Sequence, residues 1–171
     1  MGLQLIIVVE TNQTNKSDFI YIKSTIEHFF TFDNSEIKLT PVYMGGRGNY
    51  ARKQKEILSY MSQYKKTGES RVIYFFDCDD YISKPEDKLF LDSAKLFCEK
   101  NKFDFVWFCK DIEHVYVGSS VEQSEKKKMA EDFKRNNRII NVNKNDLKYV
   151  QYQQRKSNIL NVLSKYITLK E

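Results

Sequence analysis

Three carboxylates directly follow an apolar run near the middle of this sequence. Residues 72–76 are all apolar or aromatic, and Asp77, Asp79 and Asp80 come next. Such a run is typical of a strand that is buried on both faces and ends at a polar edge of a sheet. In extended backbone Asp77 and Asp79 point the same way and can share one cation, with Asp80 as a further oxygen donor. The spacing predicts hard-cation chemistry, although aspartates in such turns are also common as solvated loop charges.

A second acid ends an apolar run near the N-terminus. Residues 3–9 have the pattern of a buried strand, and Glu10 follows them. If the strands before Glu10 and Asp77 are neighbours in a parallel sheet, the two acids meet at its carboxyl edge. Like charges at that distance repel each other, so a cation or a proton must lie among them. With oxygen ligands and no matching His or Cys, Mg²⁺ or Mn²⁺ is favoured over zinc.

The elements that must position these acids alternate along the chain. Strand patterns lie at residues 3–9, 37–44, 72–77 and 103–109, with helical patterns between them at 17–30, 50–61 and 85–97. This alternation predicts an α/β fold of three layers, with helices on both faces of a mostly parallel sheet of four to five strands in the order 2-1-3-4. Pro41 favours an edge position for the second strand. Ser17 is expected to cap the first helix, residues 139–147 are the candidate fifth strand, and residues 157–169 are a candidate final helix.

Length and composition limit the class of protein. The chain has 171 residues, of which 41% are hydrophobic and 30% charged, and this composition predicts one globular domain. Within it we expect a core over residues 1–118 and a helical C-terminal extension over residues 119–171. No apolar run reaches membrane length. The three cysteines suggest neither a disulfide framework nor a zinc knuckle, so a cytoplasmic protein without a membrane partner is expected.

Basic residues provide candidate contacts for a polyanion. The net charge of +5 fits a nucleic-acid partner without requiring one. Arg47 lies in a glycine cluster at residues 45–49, which suits phosphate binding at a helix N-terminus but is interpreted first as a plain strand-to-helix turn. The lysine-rich residues 126–135 predict an amphipathic helix that is either solvated or a binding face for a nucleic-acid backbone.

A charged segment follows the fourth strand. Asp111 is expected to cap a short helix, which would leave Glu113 and His114 at the surface. Lys110 and His114, together with Arg47, are therefore the expected substrate contacts.

Two features together resemble the Toprim domain of primases, type IA topoisomerases and OLD-type nucleases, and most of all its RloB-like branch. One is the strand that ends in Glu10, and the other is the strand that ends in Asp77-Cys78-Asp79. The resemblance covers about two-thirds of the chain and makes residues 1–118 a Toprim-like core. It implies general acid or base work for Glu10, metal coordination by Asp77 and Asp79, and a catalytic role for Glu113, which stands where the RloB-like branch has a glutamate.

The resemblance thus implies a Mg²⁺- or Mn²⁺-dependent nuclease, or another phosphodiester-processing protein that acts on DNA or RNA. A phage-defence or mobile-element setting would suit that branch. The sequence departs from the family at Thr11, where Toprim domains usually have glycine.

Two other interpretations stay open. Residues 74–86 also resemble the metal-binding D-x-D segment of family-two glycosyltransferases, in which the acids hold a nucleotide-sugar diphosphate through a divalent ion. The chain has little room for the additional regions that such enzymes carry. The other alternative is a non-catalytic interaction module with a solvated acidic edge, with a protein partner in a larger assembly.

Overall fold

Five strands form a single sheet in the computed structural model, which describes residues 1–171. The strands are β1 (Gly2–Val9), β2 (Ile37–Tyr43), β3 (Gly68–Asp77), β4 (Asp104–Cys109) and β5 (Lys156–Ser157). Their order is β2-β1-β3-β4-β5, with β1 to β4 parallel and β5 antiparallel to β4. The predicted α/β class, the mostly parallel sheet and the strand order 2-1-3-4 are confirmed.

Helices cover both faces of this sheet. They are α1 (Ser17–Phe29), α2 (Gln54–Tyr64), α3 (Pro85–Lys100), α4 (Ile112–Val117), α5 (Lys126–Arg135) and α6 (Ile159–Leu163). Shorter 3-10 helices lie at Arg47–Lys53, Gln123–Glu125, Arg138–Asn141 and Lys144–Leu147. The fold therefore has the three layers that the sequence predicts, and none of its helices is both long and apolar enough to cross a bilayer.

The two buried faces of β1 explain why its sequence is apolar without alternation. Ile7 and Val9 pack with side chains of α1, α4, α5 and α6 on one face of the sheet. Ile6 and Val8 pack with side chains of α2 and α3 on the other. A strand that lies between two layers of helices favours apolar residues on both faces, and the one polar residue of β1, Gln4, is buried with hydrogen bonds to Thr40 and Ser70. β2 pairs only with β1 and so has the edge position that Pro41 predicts.

The expected fifth strand at residues 139–147 is wrong. That segment lies in two 3-10 helices, because asparagines in it and just before it favour turns. Asn137, the N-cap of the first, has a left-handed φ of 49°, and the side chain of Asn143 accepts a hydrogen bond from the Asn145 N–H at 3.0 Å. The fifth strand instead lies at residues 156–157. At two residues, it is too short to have a recognisable pattern.

Two expected helix boundaries also differ. Ser17 is the first residue of α1, and the N-cap position belongs to Lys16 in a left-handed conformation. The final helix ends at Leu163, after which Leu169 pairs with Phe30. Lys170 Nζ donates to the carbonyl oxygens of Glu27 and His28 at 3.0 and 3.2 Å, so the last residues fasten the end of α1.

Candidate functional site

Glu10 and Asp77 meet at the carboxyl ends of β1 and β3. The two strands are neighbours, and the chain leaves β1 toward β2 on one side and β3 toward β4 on the other. This is the switch point of a doubly wound sheet, where such folds bind ligands. Glu10 Oε2 accepts a hydrogen bond from the Asp77 N–H at 3.4 Å, and Asp77 Oδ1 accepts one from the Ile112 N–H at 2.9 Å. The backbone thus orients both carboxylates.

A cavity of about 340 Å³ lies at this edge, and no hydrophobic residue lines it. The charged residues that line it are Glu10, Asp18, Asp77, Asp79, Arg47 and Lys126. A larger cavity of about 500 Å³ lies against the β2 edge beside Phe19 and Tyr64, but its one acid, Glu36, is exposed. The cavity at the switch point is therefore the candidate site because acidic side chains line it, although its volume is the smaller of the two.

Burial is the main cause of the raised pKa values of the two central acids, and the charges of neighbouring acids add to it. Burial is the main cause for Glu10, and with the charges of Asp18 and Asp79 it raises the pKa of Glu10 to about 8. The pKa of Asp77 is also raised well above its usual value, first by burial and then by Glu10. Glu10 Oε1 is buried without a hydrogen-bond partner. Near neutral pH the pair therefore needs a shared proton or a cation.

Asp18 is a member of this site that sequence reasoning missed. It lies in the first turn of α1, is 7% exposed and has a pKa raised to about 6 by burial, although Lys126 acts in the opposite direction. In the sequence Asp18 looks like an ordinary favourable charge at a helix N-terminus. The available signal was its position one turn before Tyr21 and Ile22, which places it on the buried face of the helix.

Glu113 is fully buried, so its expected surface position is wrong. The short helix α4 packs against the core through Ile112 and Tyr116, and Glu113 is buried beside them. Burial, followed by the charge of Asp18, raises the pKa of Glu113 to about 7, and neither of its carboxylate oxygens has a hydrogen-bond partner.

The capping role expected for Asp111 is confirmed, since Asp111 Oδ1 accepts a hydrogen bond from the His114 N–H at 2.8 Å. His114 itself lies away from the cavity, with Nδ1 at 3.1 Å from Ser120 Oγ.

Arg47 is held by two carboxylates of the protein. Its Nη1 donates to Asp79 Oδ2 and its Nη2 to Asp87 Oδ1, both at 2.8 Å, and its guanidinium lies 4.4 Å from the centre of the Phe90 ring. Asp79 has a left-handed φ of 49°. The side chain expected to contact substrate therefore binds one of the expected metal ligands instead.

Asp80 and Lys110 form a separate group outside the cavity. Asp80 pairs with Lys84 at 3.0 Å and with Lys110 at 3.2 Å. These two lysines lower the pKa of Asp80, Lys84 more strongly than Lys110. Neither Asp80 nor Lys110 lines the cavity, so the structure does not bring them together with Glu10 and Asp77.

Cys78 and Cys109 form a disulfide beside the site, and the expectation of no disulfide is wrong. The register of β3 and β4 pairs Asp77 with Phe108, which places the next two residues, both cysteines, opposite each other. The odd number of cysteines concealed this pair, because Cys98 is buried and free. Only the strand register, which the sequence does not give, identifies the bonded pair.

The donor chemistry at the switch point fits a hard divalent cation. All candidate ligands are carboxylate oxygens, and Glu10 Oε1 is an orphaned buried acceptor. In the observed side-chain arrangement, no three His, Cys, Asp or Glu side chains are grouped to hold a metal ion. Asp79 is held by Arg47. Asp77 would therefore be the first ligand, and Asp79 would join it only in a rotamer that gives up Arg47.

Comparisons with family models, with curated proteins and with solved structures found no match to this chain.

Proposed function

We propose that this protein is a Mg²⁺- or Mn²⁺-dependent phosphodiesterase of the Toprim type that acts on nucleic acid. The observation that carries the proposal is the meeting of Glu10 and Asp77 at the switch point between β1 and β3. Both acids lie in a polar cavity, and the pKa of each is raised by burial. An all-carboxylate site of this kind matches the ligand preference of hard divalent ions.

The surroundings of each acid indicate its role, either as an ion ligand or as a proton-transfer group. Asp77, which the Ile112 N–H holds in place, is the main candidate ligand, and Asp79 is the second. When bound, the ion supplies charge neutralisation at the phosphoryl and leaving oxygens. Glu10 has a pKa of about 8 and can accept and release a proton near neutral pH, which suits a general base or acid.

A basic surface next to the cavity supports nucleic acid as the substrate. Lys126 lines the cavity from the first turn of α5, and the next two residues, Lys127 and Lys128, are exposed. Lys134 and Arg135 lie at the other end of this helix, where Arg135 pairs with Asp132 at 2.7 Å. Such a row can bind phosphates along a backbone and makes binding dependent on salt.

Cleavage assays test the proposal directly. Labelled single- and double-stranded DNA and RNA oligonucleotides are incubated with the protein in Mg²⁺, in Mn²⁺ and in EDTA. We expect cleavage that needs the ion and falls at least about 100-fold in Glu10→Gln and in Asp77→Asn, the size of effect usual for a proton-transfer group. Asp92→Asn is the control, since this acid on α3 is 55% exposed and pairs only with Lys88.

Absence of ion-dependent cleavage of any of these substrates would overturn the proposal, as would full activity in Asp77→Asn. Hydrolysis of a nucleotide sugar by the same preparation would instead support the glycosyltransferase alternative.

A further inference from the structure

An aromatic cavity of about 440 Å³ lies against α3, β4 and the segment at residues 150–152. This volume falls within the roughly 300–1,000 Å³ of sites that bind small ligands. The aromatic cavity shares no lining residue with the one that contains Glu10 and Asp77. Four of its lining side chains are aromatic, namely Phe103, Phe105, Trp107 and Tyr152. It is therefore a separate site whose walls are rich in flat rings.

Hydrogen bonds to the backbone of β4 fix the walls of the aromatic cavity. Asn158 Oδ1 accepts one from the Trp107 N–H, and Asn158 Nδ2 donates one to the Phe105 carbonyl oxygen, both at 3.0 Å. The Trp107 and Tyr152 rings meet edge to face with their centres 5.1 Å apart. A ligand would therefore enter a cavity that is already formed, and little of its binding energy would be lost to ordering the protein.

The charged residues that line the aromatic cavity balance each other. Lys165 Nζ donates to Asp104 Oδ1 at 2.6 Å, and the exposed Lys95 and Glu99 lie one turn apart on α3. A cavity without net charge favours neither a phosphate nor a metal cation. Its aromatic walls instead suit an uncharged planar ring, which can stack on them or meet them edge to face.

One wall residue of the aromatic cavity carries a hydroxyl without a partner. Tyr152 lines the cavity, and its hydroxyl is buried with no hydrogen bond. A buried polar group of this kind costs stability until a partner satisfies it. Gln151, an exposed neighbour that also lines the cavity, adds an amide donor and acceptor. These groups favour a ring with hydrogen-bonding edges, such as a nucleobase, over a purely apolar one.

A contact between Tyr152 and Tyr81 joins the aromatic cavity to the candidate site. Tyr81 directly follows Asp80 at the end of the acidic segment 77–80, and the centre of its ring lies 5.2 Å from that of Tyr152. Tyr152 in turn contacts Trp107 inside the cavity. A strand with a phosphate at the candidate site can therefore extend over Tyr81 toward the aromatic cavity.

We propose that the aromatic cavity binds one unpaired base of the nucleic-acid strand whose backbone lies at the candidate site. The inference rests on the proposed function for the identity of this ligand. Aromatic side chains hold unpaired bases by stacking, whereas the bases of a duplex are already stacked on each other and paired. The protein should therefore bind a single strand more tightly than a duplex.

Trp107 makes this binding directly observable, because it is the only tryptophan of the chain. Its emission is recorded in EDTA during titration with a thymidine decamer, with an abasic strand of the same length and with a hairpin duplex. The anisotropy of labelled strands gives the three affinities. We expect only the decamer to change the emission of Trp107. It should bind about 5- to 150-fold more tightly than the abasic strand, the range for stacking of one base.

Two variants and a matched control locate the bound base. Tyr152→Leu removes a stacking ring, so it should bind the decamer no more tightly than wild type binds the abasic strand. Val150→Glu places a negative charge at the cavity from a residue that is 85% exposed, so it should fold even if Tyr152→Leu does not. It should bind the decamer several-fold more weakly than Leu58→Glu, which adds the same charge at an exposed position of α2 outside the cavity.

Equal binding of the decamer and either the abasic strand or the duplex would overturn the inference. So would decamer binding that leaves the emission of Trp107 unchanged, or equal decamer affinities in Val150→Glu and Leu58→Glu. A nucleotide sugar that changes this emission when the decamer does not would assign the cavity to the glycosyltransferase alternative instead. Failure of the proposed function looks different: base-dependent binding would persist in EDTA, while neither Mg²⁺ nor Mn²⁺ would support cleavage.

Discussion

Arg47 donates a hydrogen bond from Nη1 to Asp79 Oδ2 at 2.8 Å, and this contact separates Asp79 from the Glu10–Asp77 pair. The same guanidinium bonds Asp87, whose Oδ2 in turn accepts a hydrogen bond from the Asp80 N–H at 3.1 Å. Arg47 therefore fixes the turn that follows β3 while holding one of the two acids of the D-x-D motif. Binding an ion through Asp79 must compete with this arginine.

Replacing Arg47 should separate its effect on ion affinity from its effect on the stability of the metal-free protein. In Arg47→Gln, Asp79 is free to reach an ion, so Mn²⁺ should bind several-fold more tightly in calorimetry. The metal-free protein should lose about 1–3 kcal/mol of unfolding free energy, because Asp87, 7% exposed, loses a charged hydrogen-bond partner. Arg52→Gln, an exposed arginine in the same 3-10 helix, is the control and should change neither quantity. Unchanged ion affinity in Arg47→Gln would contradict this role for Arg47.

Stability without metal should fall as pH rises. The pKa values of Asp18, Glu113 and Glu10 are raised from 3.8, 4.5 and 4.5 to about 6, 7 and 8. An acid with a higher pKa when folded contributes stability that is complete below its unfolded pKa and lost as pH rises through the folded value. The unfolding free energy in EDTA should therefore drop between about pH 4 and pH 8, the range between the unfolded and the folded pKa values of these acids.

Urea denaturation in EDTA across this range measures the drop. Glu113→Gln cannot ionise, so its stability should depend less on pH than that of wild type. Mg²⁺ should flatten the wild-type profile, because it stabilises the ionised acids. A wild-type stability that rises from about pH 5 to pH 8 in EDTA would contradict the assigned burial of these acids.

The main plan of the sheet was predictable from the sequence. Buried parallel strands have continuous apolar runs, so the runs before Glu10 and Asp77 indicated both the strands and the edge at which they end. Pro41 likewise indicated an edge strand, because proline has no N–H to donate and an edge strand leaves one side unpaired. These signals are local, and each is several residues long.

The features of the site that the sequence did not predict depend on how separate elements pack. The burial of Glu113 follows from the docking of a six-residue helix, and the role of Asp18 from the face that α1 turns inward. The Cys78–Cys109 bond follows from the register of two strands. The contact between Arg47 and Asp79 joins a 3-10 helix and a turn whose residues are 32 positions apart. No local pattern contains such information.

Reduction should measure what the Cys78–Cys109 bond contributes. Its cysteines are separated by 31 residues, and closing a loop of that size stabilises a folded chain by roughly 3–4 kcal/mol in the chain-entropy model. Dithiothreitol should lower the unfolding free energy of wild type and of Cys98→Ala by about this amount, since Cys98 is free. It should have no such effect on Cys78→Ser. Intact mass spectrometry with thiol alkylation verifies the bond, and three alkylated thiols before reduction would contradict it.

Asp77→Asn distinguishes an ion ligand from a structural fastener. Asparagine keeps an oxygen that can accept the Ile112 N–H, while one charge leaves a crowded group of buried acids. Without an ion the variant should therefore be as stable as wild type or more stable, because repulsion is relieved. Wild type should gain about 2.7 kcal/mol at an ion concentration near 100 times Kd, and Asp77→Asn should gain almost nothing.

A residue that only fastens the start of α4 would behave differently. Its replacement would cost up to about 1 kcal/mol both with and without the ion, since asparagine is nearly as good an acceptor at such a position. The two roles thus differ in the sign of the metal-free effect and in its dependence on the ion. Thermal melts of wild type, Asp77→Asn and the exposed control Asp92→Asn, with and without Mg²⁺ or Mn²⁺, make the comparison. An ion response in Asp77→Asn equal to that of Asp92→Asn would remove Asp77 from the proposed metal site.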